Sequence, residues 1–190
     1  MTERSEGNPG RATAREPDGD GVRGRSPRVA MSERTEEWAR LRAEHLGDAG
    51  DRPPSSARGV HHVAMLSSDV EQTIRFYQEV LGFPLTELFE NRDYEGSTHF
   101  FFDIGHGNAL AFFDFPGLDL GPYAEVLGGA HHLAISVERD QWERLRDRLT
   151  DAGVELHEVS DASLYFRGPD GERLELLCDP LGEMYGQRVT

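Results

Sequence analysis

Two segments of the chain, seventy positions apart, carry the same pattern around a pair of histidines. The pattern reads Gly59-Val60-His61-His62-Val63-Ala64-Met65 in its first copy and Gly129-Ala130-His131-His132-Leu133-Ala134-Ile135 in its second. Each copy begins a short apolar run, and a segment with helical periodicity follows each run. A duplicated unit predicts two equivalent modules that place an imidazole at the same point of the fold. Because imidazole is the commonest metal ligand among side chains, a metal site built between the copies is the first hypothesis.

The far ends of the two copies also match, at a slightly different spacing. Residues 107–116 (GNALAFFDFP) align with residues 171–180 (GERLELLCDP), an offset of sixty-four positions. The first copy therefore holds six extra residues between its ends, and we expect them in a longer loop at 91–97.

Each copy has the order strand, helix and three strands. Asp69 is expected to cap the start of the first helix, and Gly82 is expected to end it. The expected elements of the first copy are a strand at 60–66, a helix at 69–82 and strands at 84–90, 98–104 and 108–115. Those of the second copy are a strand at 130–137, a helix at 139–152 and strands at 154–159, 162–167 and 172–178.

Strand alternation assigns the side chains to two faces of each sheet. In the first strand of each copy, the bulky apolar residues face the helix, which leaves His62 and His132 on the opposite, open face. In the last strand of the second copy, the leucines on either side of Glu175 face the helix, and Glu175 faces the open side. These three side chains can therefore share one concave surface. The first histidine of each pair falls at a strand start, and a one-residue change of register would exchange it with the second.

Composition divides the chain into four parts. Residues 1–31 are rich in Gly, Pro, Arg, Ser and acids with almost no large apolar residues, so they are expected to form a disordered tail. Residues 32–58 hold a short helix, expected at 32–46, and a linker. Residues 59–117 form the first module and residues 118–190 the second module with a C-terminal tail.

Charge and cysteine content predict the cellular setting. Residues 1–58 carry equal numbers of Arg and Asp/Glu, so the net charge of −15 falls on the remainder. An acidic domain repels phosphate backbones, which argues against nucleic-acid binding. No apolar run approaches the ~20 residues that a membrane span needs, and no secretory signal is visible. With Cys178 as its single cysteine, the chain is expected to be cytoplasmic, with no membrane partner.

Three stretches carry a family resemblance: His62-Val63-Ala64 with residues 69–77 and 80–83, then residues 132–137, then residues 165–175. They resemble the vicinal oxygen chelate superfamily, which includes glyoxalase I, extradiol ring-cleaving dioxygenases, fosfomycin-resistance thiol transferases and bleomycin-binding proteins. The resemblance covers residue 59 to about residue 181. It implies an α+β fold of two tandem βαβββ modules that form a half-open, cup-shaped mixed sheet. Because this fold hosts unrelated chemistries, it does not by itself assign a reaction.

The resemblance implies a metal site with three protein ligands, namely His62, His132 and Glu175. Glyoxalase I normally adds a fourth ligand from the last strand of the first module, where this chain has Ala111. A methyl group cannot bind a metal, so this departure argues against a standard glyoxalase I. Two histidines and one carboxylate leave open positions for substrate, which is the pattern associated with non-heme Fe(II) oxygenases. Fe²⁺ is therefore the favoured ion, with Mn²⁺, Zn²⁺ and Ni²⁺ as alternatives.

Two further side chains are candidate catalytic residues. Tyr165, ten residues before Glu175, resembles the tyrosine that contacts metal-bound substrate in ring-cleaving and fosfomycin enzymes, where a phenol can donate a hydrogen bond to a developing oxyanion. Ring-cleaving enzymes also carry an acid/base histidine near the metal, and His99 on the open face is the candidate here. The rest of that face is aromatic, which suits a planar or apolar small molecule with two adjacent oxygens. The phenylalanines concerned are Phe101, Phe113 and Phe115.

Three classes of function stay open at this point. The first is a metal-dependent enzyme, with extradiol dioxygenase-type ring cleavage as the best single reaction and glyoxalase-type isomerisation or fosfomycin-type thiol transfer as alternatives. The second is a non-enzymatic protein that sequesters a drug or metabolite, as bleomycin-binding relatives do. The third is an interaction module that uses the N-terminal tail. The two modules could pair within one chain or across a homodimer.

Overall fold

The computed structural model describes residues 31–190, with side chains from residue 34 onward, so the predicted tail lies almost entirely outside the described residues. The helix predicted at 32–46 is observed as α1, Met31–His45. It belongs to a unit that ends at Ser56, and a second unit begins at Ala57 and extends to Thr190. Among the described residues, no helix is both long and apolar enough to cross a membrane.

The second unit contains the two predicted βαβββ modules. The first module consists of β1 (His62–Leu66), α2 (Val70–Ile74), a π-helical segment (Arg75–Val80), β2 (Leu85–Glu90), β3 (Thr98–Asp103) and β4 (Ala109–Phe113). The second consists of β5 (Leu133–Ser136), α3 (Arg139–Asp151), β6 (His157–Glu158), β7 (Ser163–Arg167) and β8 (Arg173–Leu177). A C-terminal hairpin follows, formed by β9 (Glu183–Met184) and β10 (Gln187–Arg188). The sequence analysis did not predict this hairpin or the π-helical segment.

Each module forms its own four-stranded mixed sheet, and the two sheets have the same strand order. The order is β1-β4-β3-β2 in the first and β5-β8-β7-β6 in the second. In both, the first strand runs parallel to the last, and the remaining pairs are antiparallel. The predicted α+β fold of two tandem βαβββ modules is therefore confirmed, with the eight strands in two sheets of four.

Residues Asp69 and Gly82 set where the helix of the first module, α2 with its π-helical segment, begins and ends. The Asp69 side chain accepts a hydrogen bond from the Gln72 backbone N–H, at 2.9 Å, and so caps the helix as predicted. Gly82 has a φ of +73°, a left-handed conformation that glycine adopts without a steric penalty, and it ends the helical segment. The long loop expected at 91–97 is also present, between β2 and β3.

The helix-facing sides of both sheets meet in one hydrophobic core. Tyr77 is fully buried, and its ring lies 4.9 Å from Phe112 and 5.4 Å from Phe102. In the second module, the Trp142 indole packs in the core and donates a hydrogen bond to the Leu176 carbonyl, at 3.1 Å. These contacts place the opposite face of each sheet away from the core, as strand alternation predicted.

Polar contacts tie the two modules together beside this core. The Tyr77 hydroxyl donates a hydrogen bond to Glu172 in the second module, at 2.7 Å. The Ser68 backbone N–H is 3.2 Å from both carboxylate oxygens of Asp170. Burial raises the pKa of Glu172, because the ionised carboxylate is poorly solvated there. The Tyr77 hydroxyl therefore supplies a hydrogen bond that this carboxylate cannot easily replace with water.

We expect Tyr77→Phe to lower the free energy of unfolding by about 1–3 kcal/mol, because Glu172 would lose a buried donor. Denaturant unfolding followed by tryptophan fluorescence measures the change. Tyr94→Phe is the matched control, since Tyr94 is exposed and packs edge-on against Phe115. The control should stay within about 0.5 kcal/mol of the wild type. Equal stability of both variants would mean that the Tyr77 hydroxyl contributes nothing across the module boundary.

Candidate metal centre

The open face of the second sheet brings together four of its polar side chains. Glu175 is 3 % exposed, and its Oε2 lies 3.0 Å from the His132 Nε2. The Ser163 hydroxyl, 1 % exposed, donates to the other carboxylate oxygen. The Tyr165 ring lies 5.2 Å from the His132 ring, measured between centroids. The second module thus places an imidazole nitrogen and a carboxylate oxygen side by side, with a phenol next to them.

The phenol of Tyr165 stays protonated over the physiological pH range. Burial raises its pKa to about 12, and a hydrogen bond to Glu175 contributes further. The Arg173 guanidinium, which lies 5.0 Å from the ring centroid, opposes this shift. Because the proton is retained, Tyr165 is a hydrogen-bond donor at this site rather than a base.

The first histidine of the second pair orients the second one. The two imidazoles approach with their Nδ1 atoms 2.7 Å apart. Arg173 lies 3.2 Å from the Nε2 of His131, and since arginine can only donate, that nitrogen accepts. The His131 Nδ1–H then donates to the His132 Nδ1, which leaves the His132 N–H directed at Glu175. This fixes the ring orientation of His132. An ion could bind the Nε2 of His132 only after that nitrogen loses the proton it carries here.

The first sheet has the same backbone positions with different side chains. Ala111 pairs with Phe101 on β3, as Glu175 pairs with Tyr165 on β7. The register therefore confirms that an alanine and a phenylalanine replace the carboxylate and the phenol in the first module. His62 is exposed on this face, 6.2 Å from the Phe101 ring, and its Nδ1 lies 2.9 Å from that of His61.

His99 lies in an aromatic cluster on the same face. Its ring stacks on Phe113 at 3.8 Å and lies 4.3 Å from Phe101, while Phe89 packs edge-on at 5.3 Å. Its Nε2 is buried and has no hydrogen-bond partner. Burial lowers the pKa of His99, and the neighbouring His62 lowers it further. His99 is accordingly a neutral imidazole at pH 7, which can accept a proton only where another group stabilises the resulting charge.

The described residues of one chain thus supply two adjacent metal donors. His132 and Glu175 are in contact, and together they offer the nitrogen and oxygen donors that divalent iron, manganese and zinc accept. Between residues 34 and 190, however, no three His, Cys, Asp or Glu side chains are grouped closely enough to hold an ion. His62 lies with Phe101 and His61 instead. The chemistry of this pair fits a divalent ion, but two donors do not make up the three-ligand set that the resemblance implies.

Two side chains of this site were not predicted from the sequence. Nothing in the sequence around Ser163 indicated that it bonds Glu175. His131 was placed at a strand start, and it contacts His132 directly. The histidine pair itself was the available signal, since both copies place the two Nδ1 atoms within 3 Å of each other.

Two further side chains of types that bind metals lie away from His132 and Glu175. His106 is exposed in the turn between β3 and β4, with a φ of +52°. Cys178 packs against the core on the helix side, and burial raises the pKa of its thiol. His106 is therefore a solvated turn residue, and Cys178 is a partly buried thiol at the edge of the core.

Similarity to known proteins was found at the level of sequence and of structure. The putative ring-cleaving dioxygenase MhqA of Bacillus subtilis (strain 168) is 29% identical over 140 residues, which cover 69% of this chain and 43% of that protein. Metallothiol transferase FosB of Shouchella clausii (strain KSM-K16) is 30% identical over 132 residues, covering 66% of this chain and 83% of FosB. The chain therefore spans less than half the length of the ring-cleaving relative.

A solved structure extends the likeness to the fold. The glyoxylase/bleomycin resistance protein/dioxygenase domain from Frankia sp. EAN1pec aligns with a TM-score of 0.57 at 24% identity, over 65% of this chain and 98% of that one. Residues 59–176, which contain both histidine pairs and Glu175, match a family model. With two tandem modules, one histidine pair in each and this match over more than half of the chain, the protein belongs to the Glyoxalase/Bleomycin resistance protein/Dioxygenase superfamily.

Proposed function

We propose that the protein is a metal-dependent enzyme that acts on a small molecule with two adjacent oxygens, and that ring cleavage of a catechol is its reaction. The observation that carries the proposal is the contact between the half-buried His132 and the buried Glu175, whose Nε2 and Oε2 lie 3.0 Å apart beside Tyr165. A carboxylate with so little solvent exposure requires a partner of opposite charge or strong donors. The Ser163 hydroxyl and the His132 N–H supply such donors here, and a divalent ion held by His132 and Glu175 would add the opposite charge.

The third ligand in this proposal is His62, supplied by a second copy of the chain. Its position repeats that of His132 in the other module, and it is exposed and free to meet a partner surface. Within one chain His62 contacts Phe101 rather than the donor pair. A symmetric dimer, the commonest oligomer of soluble proteins, would form two equivalent sites, each with donors from both copies. The bound ion, with Fe²⁺ favoured, would supply Lewis acidity and, if it is iron, access to oxygen chemistry.

Other side chains of the open faces would bind the substrate and transfer its proton. Tyr165 keeps its proton and would donate a hydrogen bond to a substrate oxygen next to the donor pair. His99, neutral within its aromatic cluster, would accept a proton from a substrate hydroxyl. Phe101 and Phe113 form an apolar wall on which a planar ring could stack. An aromatic wall favours a catechol over a small phosphonate.

Oxygen uptake tests the reaction directly. Protein loaded with Fe²⁺ under anaerobic conditions is mixed with a panel of catechols in an oxygen electrode, and uptake should accompany the appearance of a ring-opened product. Tyr165→Phe should lower the rate by about 10²–10³-fold with little change in iron content, as loss of an oxyanion donor does. No uptake with any catechol would end the ring-cleavage proposal and leave isomerisation or thiol transfer, which the FosB likeness supports. Ligand binding that is unaffected by His62→Ala and Glu175→Ala would favour a non-enzymatic binder.

Ser163 offers a test of how the carboxylate is positioned. Its hydroxyl is bonded to Glu175 inside the sheet, so we expect Ser163→Ala to weaken metal binding by about 10–100-fold, as loss of an outer-shell partner does. Metal titration by calorimetry measures the change. Ser163→Thr, which keeps the hydroxyl, should recover part of the affinity, and Ser160→Ala in the neighbouring loop should bind as the wild type does. Unchanged affinity in Ser163→Ala would remove this residue from the site.

A further inference from the structure

A large cavity lies between the two modules, next to the metal donors. It has a volume of about 1070 Å³, at the upper end of the roughly 300–1,000 Å³ typical of small-molecule sites. Its walls come from β1, from the chain that connects the modules at 114–123, and from the start of β5 with the turn at 170–173. His132 is part of the wall, so the cavity reaches the donor pair from the side.

The wall is apolar over much of its area. The strands contribute Val63, Met65 and Leu133, and the connecting segment contributes Phe115, Leu118 and Leu120. The connecting segment is fixed at both ends, because Asp114 accepts a hydrogen bond from the Thr98 N–H and the Tyr123 hydroxyl donates to the Ala130 and His131 carbonyls. These hydrogen bonds anchor the two ends of the segment that forms this wall.

The charges around the cavity are strongly unbalanced. Four carboxylates line it, those of Asp114, Asp119, Asp170 and Glu172, against one guanidinium, that of Arg173. Among residues 34–190, none of the four carboxylates forms an ion pair, although each accepts hydrogen bonds from N–H or O–H groups.

The one positive charge is already neutralised. Arg173 lies 3.3 Å from Glu125 on the connecting segment and also donates to His131. Arg167, whose guanidinium lies 5.5 Å from the Tyr123 ring, adds a second positive charge beside the wall. The field inside the cavity is therefore that of the remaining excess of carboxylates. Low-dielectric apolar walls would intensify this field, since they screen it less than water does.

We propose that this cavity binds an apolar molecule that carries a positive charge, such as an arylalkyl ammonium. The apolar walls would bury the hydrocarbon part, and the carboxylates would attract the ammonium group. The same field would repel a carboxylate or phosphonate of equal size. The site does not require a metal, so it can be tested apart from the proposed reaction.

Three probes with the same hydrocarbon part separate charge from hydrophobic burial. Metal-free protein is titrated with 4-phenylbutan-1-amine, 4-phenylbutan-1-ol and 4-phenylbutanoate, none of which has vicinal oxygens. At low ionic strength we expect the amine to bind about tenfold more tightly than the alcohol, and the carboxylate to bind most weakly. The preference should shrink as salt is added, because salt screens exposed charges over about 10 Å at 0.1 M.

Two variants and one control locate the effect. Asp119→Asn removes one cavity charge while the new amide oxygen can still accept from the Gly121 N–H, so the preference for the amine should fall about threefold. Asp151→Asn on α3 makes the same change in net charge outside the cavity and should leave the preference unchanged. Ala130→Trp places a large ring at the cavity wall and should weaken all three probes together.

Several results would overturn the proposal. One is a carboxylate probe that binds as well as the amine, and another is the absence of binding by any probe. A third is an equal effect of Asp119→Asn and Asp151→Asn, which would assign the preference to the overall charge of the protein. None of these depends on whether the protein cleaves catechols.

Discussion

Glu175→Gln is expected to abolish high-affinity metal binding, with a loss of at least about 100-fold. The substitution keeps the size and the hydrogen-bonding capacity of the side chain but removes its charge. Ser163 and His132 can both still find a partner on the amide, so the buried position remains satisfied. The effect should therefore fall on the metal and not on the fold.

Calorimetric titration of anaerobic, metal-free protein with Fe²⁺ or Mn²⁺ measures this loss. Glu158→Gln is the matched control, because Glu158 is exposed on the short edge strand β6 and should bind metal as the wild type does. Thermal unfolding of the three metal-free proteins checks that the variant is folded. Full affinity in Glu175→Gln would remove the carboxylate from the ligand set.

Mixed dimers are expected to restore a site that each parent variant lacks. His62→Ala and Glu175→Gln homodimers should both fail to bind metal, because every site in them lacks one ligand. A mixed dimer contains one chain of each variant. If each site takes donors from both copies, one site contains both substitutions and the other contains neither. A mixed dimer should therefore bind one ion, half of the wild-type content.

Differently tagged chains allow the mixed dimer to be purified and its metal content measured. Two copies of the same variant, carrying the two tags, serve as the control and should contain no metal. Mixed dimers without metal would indicate that His62 and Glu175 act within one chain or not at all. A protein that stays monomeric at high concentration would contradict the shared site outright.

The sequence was most informative where a repeated local pattern met strand alternation. His62, Ala64 and Leu66 alternate with partly buried residues in β1, as the period of two predicted. The alignment of Ala111 with Glu175 could be made from the repeat alone, and the strand register agrees with it. Helix limits were also predicted well, since Asp69 and Gly82 have specific capping chemistry.

The sequence was less informative about how deeply a side chain is buried and about contacts between residues far apart in the chain. Alternation assigned Glu175 to the open face, but only the packing of neighbouring strands makes it nearly inaccessible. Asp170 lies in the turn between β7 and β8. Its contact with the Ser68 N–H, 102 positions away, depends on how the modules meet, which no local pattern contains.

Short strands and irregular helices were also missed for physical reasons. The strand expected at 154–159 is reduced to His157–Glu158, because only these two residues pair with β7 at the sheet edge. The π-helical segment at Arg75–Val80 has the same apolar spacing as an ordinary helix, so its hydrogen bonds cannot be inferred from periodicity. Neither difference moves a residue from one face of a sheet to the other.

The most direct test of the metal site is an anomalous-diffraction map of crystals loaded with Fe²⁺ or Mn²⁺. We predict one peak per site, about 2.0–2.3 Å from the Nε2 of His132, an oxygen of Glu175 and the Nε2 of His62 from a second copy. A peak that contacts only His132 and Glu175 would contradict the shared arrangement. A metal bound elsewhere, with all three side chains unligated, would contradict the account as a whole.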